Sequence, residues 1–533
     1  MIEIKDFIDK HVSIVSERYS HTALSYFNAI TSGKAEDFAT LAQAELELEK
    51  LYTNKEDFQL IKKFKETPID DPLLKRQIDV LFLSYQGKQA DEKTLEKIIE
   101  IQNQIEQKFS GFRAIIDWKI FTDNQIEEIL STSKDSEEVE KARIASKAIG
   151  PVVVQDVLQI VALRNETAKE LWYKNYHDMS LRLSEQDPEH ISVLFDKLDE
   201  LTRDAFANEK KNIDKHLAEK FGIIEEELMP RHYQNRYFQE APKIYQIDLD
   251  VYYKDQDIVE LSRGYYESLK LPVESILEAS DLYERESKYQ HACCIDINKT
   301  GDVRIVCNIK SNAKWMNTQL HELWHAVYDK FADPTTPYLL REPAHIFTTE
   351  SIAMLFGRFA SNPQRIQDIL HISEEEKQKI ADACFHTLRL EQLVFSRRAQ
   401  VMYRFEKQMY ENPDQDLNTL RRDLVEKYQM IKRPAGRNEP DRATKIHIAT
   451  SPCYYHNYLL GELLASQLYY YIVWKVLKSS DYRFQSFYNQ PEVGEYLKKN
   501  IFYPGSKYHW DTMIELATGE RLTPKWYAKQ FVG

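Results

Sequence analysis

The chain has 533 residues, 43% of them apolar, ample for a large buried core. Its net charge of −14 excludes a broad nucleic-acid footprint, which needs clustered positive charge. Only 14 glycines, against roughly 7% in an average composition, exclude a turn-rich β architecture and point to long helices joined by few loops.

The first residues, "MIEIKDFIDKHVSIVSERY", have no basic region followed by an apolar run, so no signal peptide is expected. No stretch approaches about 18 uninterrupted apolar residues; "ASQLYYYIVWKVL" is short and broken by Gln467 and Lys475. Neither a membrane nor a nucleic acid is an expected partner. The five cysteines, at 293, 294, 307, 384 and 453, lack metal-type spacing, and reduced thiols in a cytoplasmic protein are expected.

The first half reads as successive helices. Over 95–109, Leu95, Ile98, Ile99, Ile105 and Phe109 are assigned to one face, and over 191–206 Leu194, Leu198 and Leu201 repeat the pattern after the start signal "SEQDPEH". Breaks fall near 66–72, 228–243 and 432–445. None is a Gly/Ser linker, so residues 1–533 are read as one helical unit with subdomains. The period changes at "HACCIDI" (291–297), "NKTGD" (298–302) and "VRIVCNI" (303–309), which read as strand, turn, strand. An edge strand there could hold an extended peptide by backbone hydrogen bonds.

"TQLHELWHAVYD" (318–329) follows. Residues four apart stack on one helix face, so His321 and His325 can offer imidazole nitrogens to one ion. Glu322, offset by about 100°, falls beside that ion, where it can take a proton from water. Two imidazoles do not complete a catalytic zinc site. The third donor is sought in "LLREPAHIFTTESIAMLFGRF" (339–359), where Pro343 marks a loop and Glu350 is placed on the first turn of a returning helix. His345, in the connecting loop, is the competing ligand. Two His, a base and a returning Glu form the gluzincin arrangement. Farther on, "DRATKIHIATSPCYYHNYLLGELLASQ" (441–467) gathers Lys445, His447, Tyr454, Tyr455, His456 and Tyr458. His and Tyr can donate to an oxyanion, and Lys can bind a carboxylate.

In this order, "HACCIDI", "HELWH", "LLREPAHIFTTESIA", "DRATKIHIATSP" and "YPGSKYHWDTMIELATGE" (503–520) resemble the angiotensin-converting-enzyme family of zinc dipeptidyl carboxypeptidases. The family pattern reads His-Ala-Ser-Ala, HExGH, Leu-Arg-Glu-Gly…His-Glu-Ala, Lys-x-His-Ile-Pro and Pro-Gly-Ser. With the weaker upstream "SLRLSEQDPEHI", the likeness spans about 170–533. It implies a mainly α, two-lobed ellipsoid with a deep central cleft, and a small β-hairpin beside the zinc helix. It implies one Zn2+ per chain, held by His321, His325 and Glu350, with Glu322 as general base and later acid. His291 and Ala292 resemble the residues that hold substrate backbone, Lys445 the anchor for the substrate's C-terminal carboxylate, and His447 the donor near the scissile carbonyl. Gln239, in "RYFQE", is a further candidate carboxylate contact. Counting without a gap from His447, the oxyanion position falls on Asn457; with one inserted residue, Tyr455 and Tyr458 match the family's two tyrosines, and Tyr458 is taken as the oxyanion donor.

The departures are specific. Cys294 and Ile295 replace small and aromatic residues, and Gln290 stands where secreted members have a disulfide cysteine. Met354 replaces an Asp that supports a zinc histidine. His456 or Asn457 replaces a chloride-binding Arg, and Trp324 enlarges a small position inside the motif and is expected to narrow the site. The implied activity is hydrolysis of short peptides with a free C-terminus, releasing C-terminal dipeptides. The alternatives are an oligoendopeptidase or metallocarboxypeptidase of similar helical fold, and a non-catalytic helical binding protein with a degenerate zinc site.

Overall fold

A computed structural model describes residues 2–233, 235–245 and 247–532. The chain is mainly helical, and among the described residues the only strands form two small antiparallel hairpins. It divides into two compact units, the first made of Met1–Gln89, Ile247–Phe385 and Leu460–Tyr527, the second of Ala90–Gln246, His386–Leu459 and Ala528–Gly533.

In the first unit the helices Ile2–Ser32, Lys55–Glu66 and Pro72–Gln86 close around Ile4, Ile8, Phe58, Ile61, Ile78 and Leu81. The hairpin Cys293–Asp296/Val303–Val306, with Cys293 opposite Val306 and Asp296 opposite Val303, packs Ile295 and Val306 onto Ile30. It is shorter than the sequence suggests. Beyond Val306 the chain leaves its partner strand, because Cys307 N–H donates to the Asp281 carbonyl and Ile309 N–H to that of Leu282. His291 and Ala292 precede the first strand.

Two helices of this unit carry the motif residues. Ala313–Lys330 starts at Asn312, whose side chain accepts the Trp315 N–H at 2.8 Å. It buries Met316, Leu320, Leu323, Trp324 and Val327, and Tyr266 Oη pins it by donating to the Leu320 carbonyl at 2.7 Å. The helix Ile346–Gly357 lies along it. Asn317 meets Gly357, His321 meets the backbone of Ala353, and His325 meets Thr349. As one number rises the other falls by the same step, so the pair is antiparallel.

The second unit is built on long helices. Pro188–Phe221 begins at Asp187, which accepts the Glu189 N–H, and ends at Gly222 with φ 65°, the left-handed cap that glycine adopts without strain. Its Ala205, Phe206 and Ile213 pack on Leu390, Leu393 and Val394. In the helix Glu92–Gly111 the buried positions are Ile101 and Ile105. Ile99, assigned above to the inner face, is 52% exposed; it lies about 100° round from Ile98, off the buried stripe. The stretch Ser136–Glu170 is the one helical segment among the described residues long and apolar enough to cross a membrane. It holds the buried Arg164, which donates to the carbonyls of Ile448 and Ala449, the behaviour of a core helix.

Candidate active site

The antiparallel pair in the first unit brings together His321, His325 and Glu350, whose donor atoms all lie within 4.8 Å of one another. The two Nε2 atoms are 3.2 Å apart, and a Glu350 carboxylate oxygen sits 3.7 Å from one and 3.9 Å from the other. Zn–N and Zn–O bonds of roughly 2.0–2.2 Å in a tetrahedron separate neighbouring donors by about 3.3–3.6 Å. The donor set therefore fits zinc with small adjustments.

The electrostatics fit too. Burial, then the Glu350 charge, pushes the Glu322 carboxyl up to about 8. Burial, then Glu462, pushes Glu350 up to about 7. Burial lowers His321 to about 4 and His325 well below its ordinary value. The imidazoles are thus neutral and ready to ligate, while the carboxylates lack a counter-charge that a dication supplies. Glu322, nine-tenths buried, is not among the three converging residues. A cavity of about 630 Å³ opens onto this cluster, lined by Ala292, Cys293, His321, Glu322, His325 and Glu350.

Outer support comes from residues the sequence did not single out. His325 Nδ1 lies 2.8 Å from Thr349 Oγ1; donating there leaves Nε2 free for a metal. His321 makes its bond to the backbone of Ala353. These contacts stand where the resemblance lacks an acid, since Met354 instead packs toward Gly461: a Cβ on that glycine would meet Met354 Sδ at 3.2 Å and Glu350 Cβ at 3.4 Å. Glu462, near enough to act on both His321 and Glu350, is held by Arg358. Antiparallel pairing would have pointed to Thr349, one residue before Glu350; nothing in the chain marks Glu462.

Two expectations are corrected, and the competing ligand takes another role. The returning helix begins at Ile346, two residues earlier than expected, so Glu350 sits in the second turn and is not a dipole-favoured first-turn acid. His345 is that helix's N-cap, its Nδ1 accepting the Phe347 N–H at 3.2 Å, and is not among the converging donors. Trp324 does not narrow the site. It is fully buried, stacks on Phe356 with ring centroids 3.6 Å apart and packs against Tyr266, on the core side of its helix. Of the two hairpin residues, Ala292 lines the cavity, while His291 is exposed beside Tyr289.

The second unit gathers the downstream candidates. Lys445 Nζ donates to Gln239 Oε1 at 3.1 Å and Tyr455 Oη donates to the same oxygen at 3.3 Å, joining residues more than 200 positions apart. Burial, then Arg398 and Arg236, lowers Lys445 to about 7. His447 stands edge-on to Tyr455; burial, then Lys445, lowers it to about 4, and its Nδ1 has no partner among the described residues. Tyr458 is half-buried against Tyr454 and Tyr455. Asn457 is buried, its amide oxygen accepting from Gln186 Nε2 at 2.8 Å.

A mainly helical chain with this donor set on two antiparallel helices has the construction of a zinc-type hydrolase. The family model described as angiotensin-converting enzyme matches residues 2–525, nearly the whole chain. The chain belongs to that peptidase family, whose members are zinc-dependent and act on peptides. No curated protein matches it.

Proposed function

We propose that the protein is a peptidyl-dipeptidase, removing C-terminal dipeptides from short peptides with a free C-terminus. The observation that carries this reading is the convergence of His321, His325 and Glu350 beside a buried carboxyl that is not one of the donors, in a chain of this family. His321, His325 and Glu350 would hold zinc, which when bound polarises the scissile carbonyl and acidifies water. Glu322 takes the proton from the attacking water and delivers it to the leaving amine. Its raised proton affinity suits both halves of that transfer. His447 and Tyr458 donate to the oxyanion. Asn457, whose amide is engaged with Gln186, is less suited. Lys445, steadied by Gln239 together with Tyr455, holds the substrate's terminal carboxylate. Ala292 offers backbone to the peptide. The assignment of residues from both units to one peptide rests on the motif order shared with the family.

The test is product mapping on a peptide library bearing free or amidated C-termini. Dipeptide release from free acids, loss of cleavage on amidation, and a fall of at least about 10³-fold in Glu322→Gln with zinc retained are expected. Equal cleavage of acid and amide means an oligoendopeptidase, and single-residue release means a metallocarboxypeptidase. Absence of stoichiometric zinc in the purified protein, with no rescue by added zinc, means a non-catalytic binding protein.

A further inference from the structure

The second unit contains a cavity of about 940 Å³ whose lining includes neither Lys445 nor His447. Its wall carries eight Lys and Arg against five Asp and Glu, in a chain whose net charge is −14. Several of the cations are already matched. Arg231 binds Glu140, Arg437 takes both oxygens of Asp441, and Arg433 holds Glu426 and Asp423. Three are not. Among the described residues the side chains of Arg143 and Arg421 have neither a hydrogen-bond nor an ion-pair partner. Lys147, 2% exposed, reaches only the Thr444 hydroxyl at 3.1 Å and the face of Tyr237 at 3.8 Å. One terminal nitrogen of Arg422, also on the wall, is buried without an acceptor.

Lys147 is buried and Arg143 and Arg421 are half-buried, and cations drawn out of water without a counter-ion are costly. Burial lowers Arg143 to about 10 and Arg421 to about 10, and on Lys147 the charges of Arg143 and Arg421 add to burial. Asp441, the one carboxylate that acts on all three, is hydrogen-bonded to Arg437, so three cations share a carboxylate already engaged.

We propose that this cavity binds a phosphorylated small molecule, its phosphoryl group held by Arg143, Lys147 and Arg421. Two guanidinium forks and an ammonium match the oxygens of a phosphoryl group, to which Arg binds in bidentate fashion. The volume lies in the range of organic-ligand pockets, far more than a monatomic ion needs, and Ile144, Ile223, Met229, Val425 and Ile431 give an apolar wall for the organic body. The site is separate from the peptide chemistry proposed above, and its failure leaves that reading untouched.

The experiment uses the zinc-loaded protein, with inorganic phosphate, glucose 6-phosphate, glucose and sodium chloride as probes at matched ionic strength. Both phosphates should raise Tm, by roughly 2–3 °C at a hundredfold excess over Kd, with glucose inert and glucose 6-phosphate the tighter binder by calorimetry. Arg143→Gln and Arg421→Gln should each weaken phosphate binding at least tenfold. Peptide hydrolysis in phosphate-free buffer should stay unchanged, and Tm without phosphate should not fall, because each change relieves repulsion. Independently of any variant, phosphate should protect Arg143 and Arg421, but not the exposed Arg113, from phenylglyoxal modification read by mass spectrometry. An equal shift with chloride, undiminished binding in both variants, or no binding of either phosphate at millimolar concentration would each overturn the proposal.

Discussion

Thr349→Val removes one oxygen and nearly preserves shape. Thr349 is 7% exposed, and its hydroxyl is 2.8 Å from His325 Nδ1. In the valine variant that ring N–H loses its acceptor in the buried wall of the cavity, and leaving a buried donor unmade costs about 1–3 kcal/mol. The imidazole can avoid part of the cost by moving its proton to Nε2, the atom now 3.2 Å from the corresponding nitrogen of His321, and a protonated Nε2 cannot ligate. Either route falls on metal binding, so zinc affinity should drop by about 10–100-fold, or roughly 1.4–2.7 kcal/mol. The assay is competition for zinc against a chromophoric chelator, with Thr349→Ser as the control that keeps the hydroxyl. The serine variant should bind within about threefold of the parent. A valine variant that binds zinc as tightly as the parent, or a serine variant that loses as much as valine, refutes the orienting role of this hydroxyl.

Zinc affinity should rise with pH between about 5 and 8 and flatten above, because Glu350, near 7, and Glu322, near 8, carry protons in the metal-free protein. The same carboxyls hold more protons folded than unfolded once pH exceeds their unfolded values near 4.5, so their own contribution to the stability of the metal-free protein should fall as pH rises through that window, against the opposite contribution of His321 and His325, whose lowered values make stability rise with pH up to about 6.5. Scanning calorimetry of the chelator-treated parent and Glu322→Gln at four pH values isolates one carboxyl: the parent's Tm relative to the variant's should fall as pH rises, and a relative Tm that rises contradicts it. Gly461→Ala should separate stability from metal binding. Alanine is favoured in a helix interior by about 0.5–1 kcal/mol, yet its Cβ presses on Met354 and Glu350, so unchanged or higher Tm with several-fold weaker zinc is expected. Lys445→Met should lower kcat/KM for free-acid peptides by about 10–100-fold, the worth of a hydrogen bond to a charged group, toward the residual rate on amidated ones; a parent-like rate on free acids would place Lys445 outside carboxylate recognition.

The fold class was legible because glycine scarcity and helical periodicity are properties of long stretches, which local packing cannot reverse. Detail was less so where a single choice depends on tertiary contact. Ile99 and Ile98 are indistinguishable by hydropathy, and only the neighbour packed at Ile101 and Ile105 decides which one is covered. The hairpin Ala114–Ile116/Lys119–Phe121 turns through Asp117 and Trp118, both at positive φ. That turn type is signalled by Asn-Gly or Asp-Gly, and an Asp-Trp pair carries no such mark.

The same distinction runs through the candidate site. The stacking of His321 and His325 follows from helix geometry alone, and the approach of Glu350 needs only that the next helix return along the first. What each side chain then faces is a matter of rotation about the helix axis, which the motif does not fix. Trp324, one residue before His325, shares the buried side of the helix with Leu320, Leu323 and Val327, and its bulk inside the motif therefore says nothing about the width of the site. The pairing of Lys445 with Gln239 spans a separation at which no spacing rule operates, and only the folded chain brings the two together. Local periodicity therefore identifies donors that share a helix or a helix pair, while the groups that orient them, Thr349 and Glu462 here, are set by packing, and it is on those groups that substitutions will most sharply separate metal binding from folding.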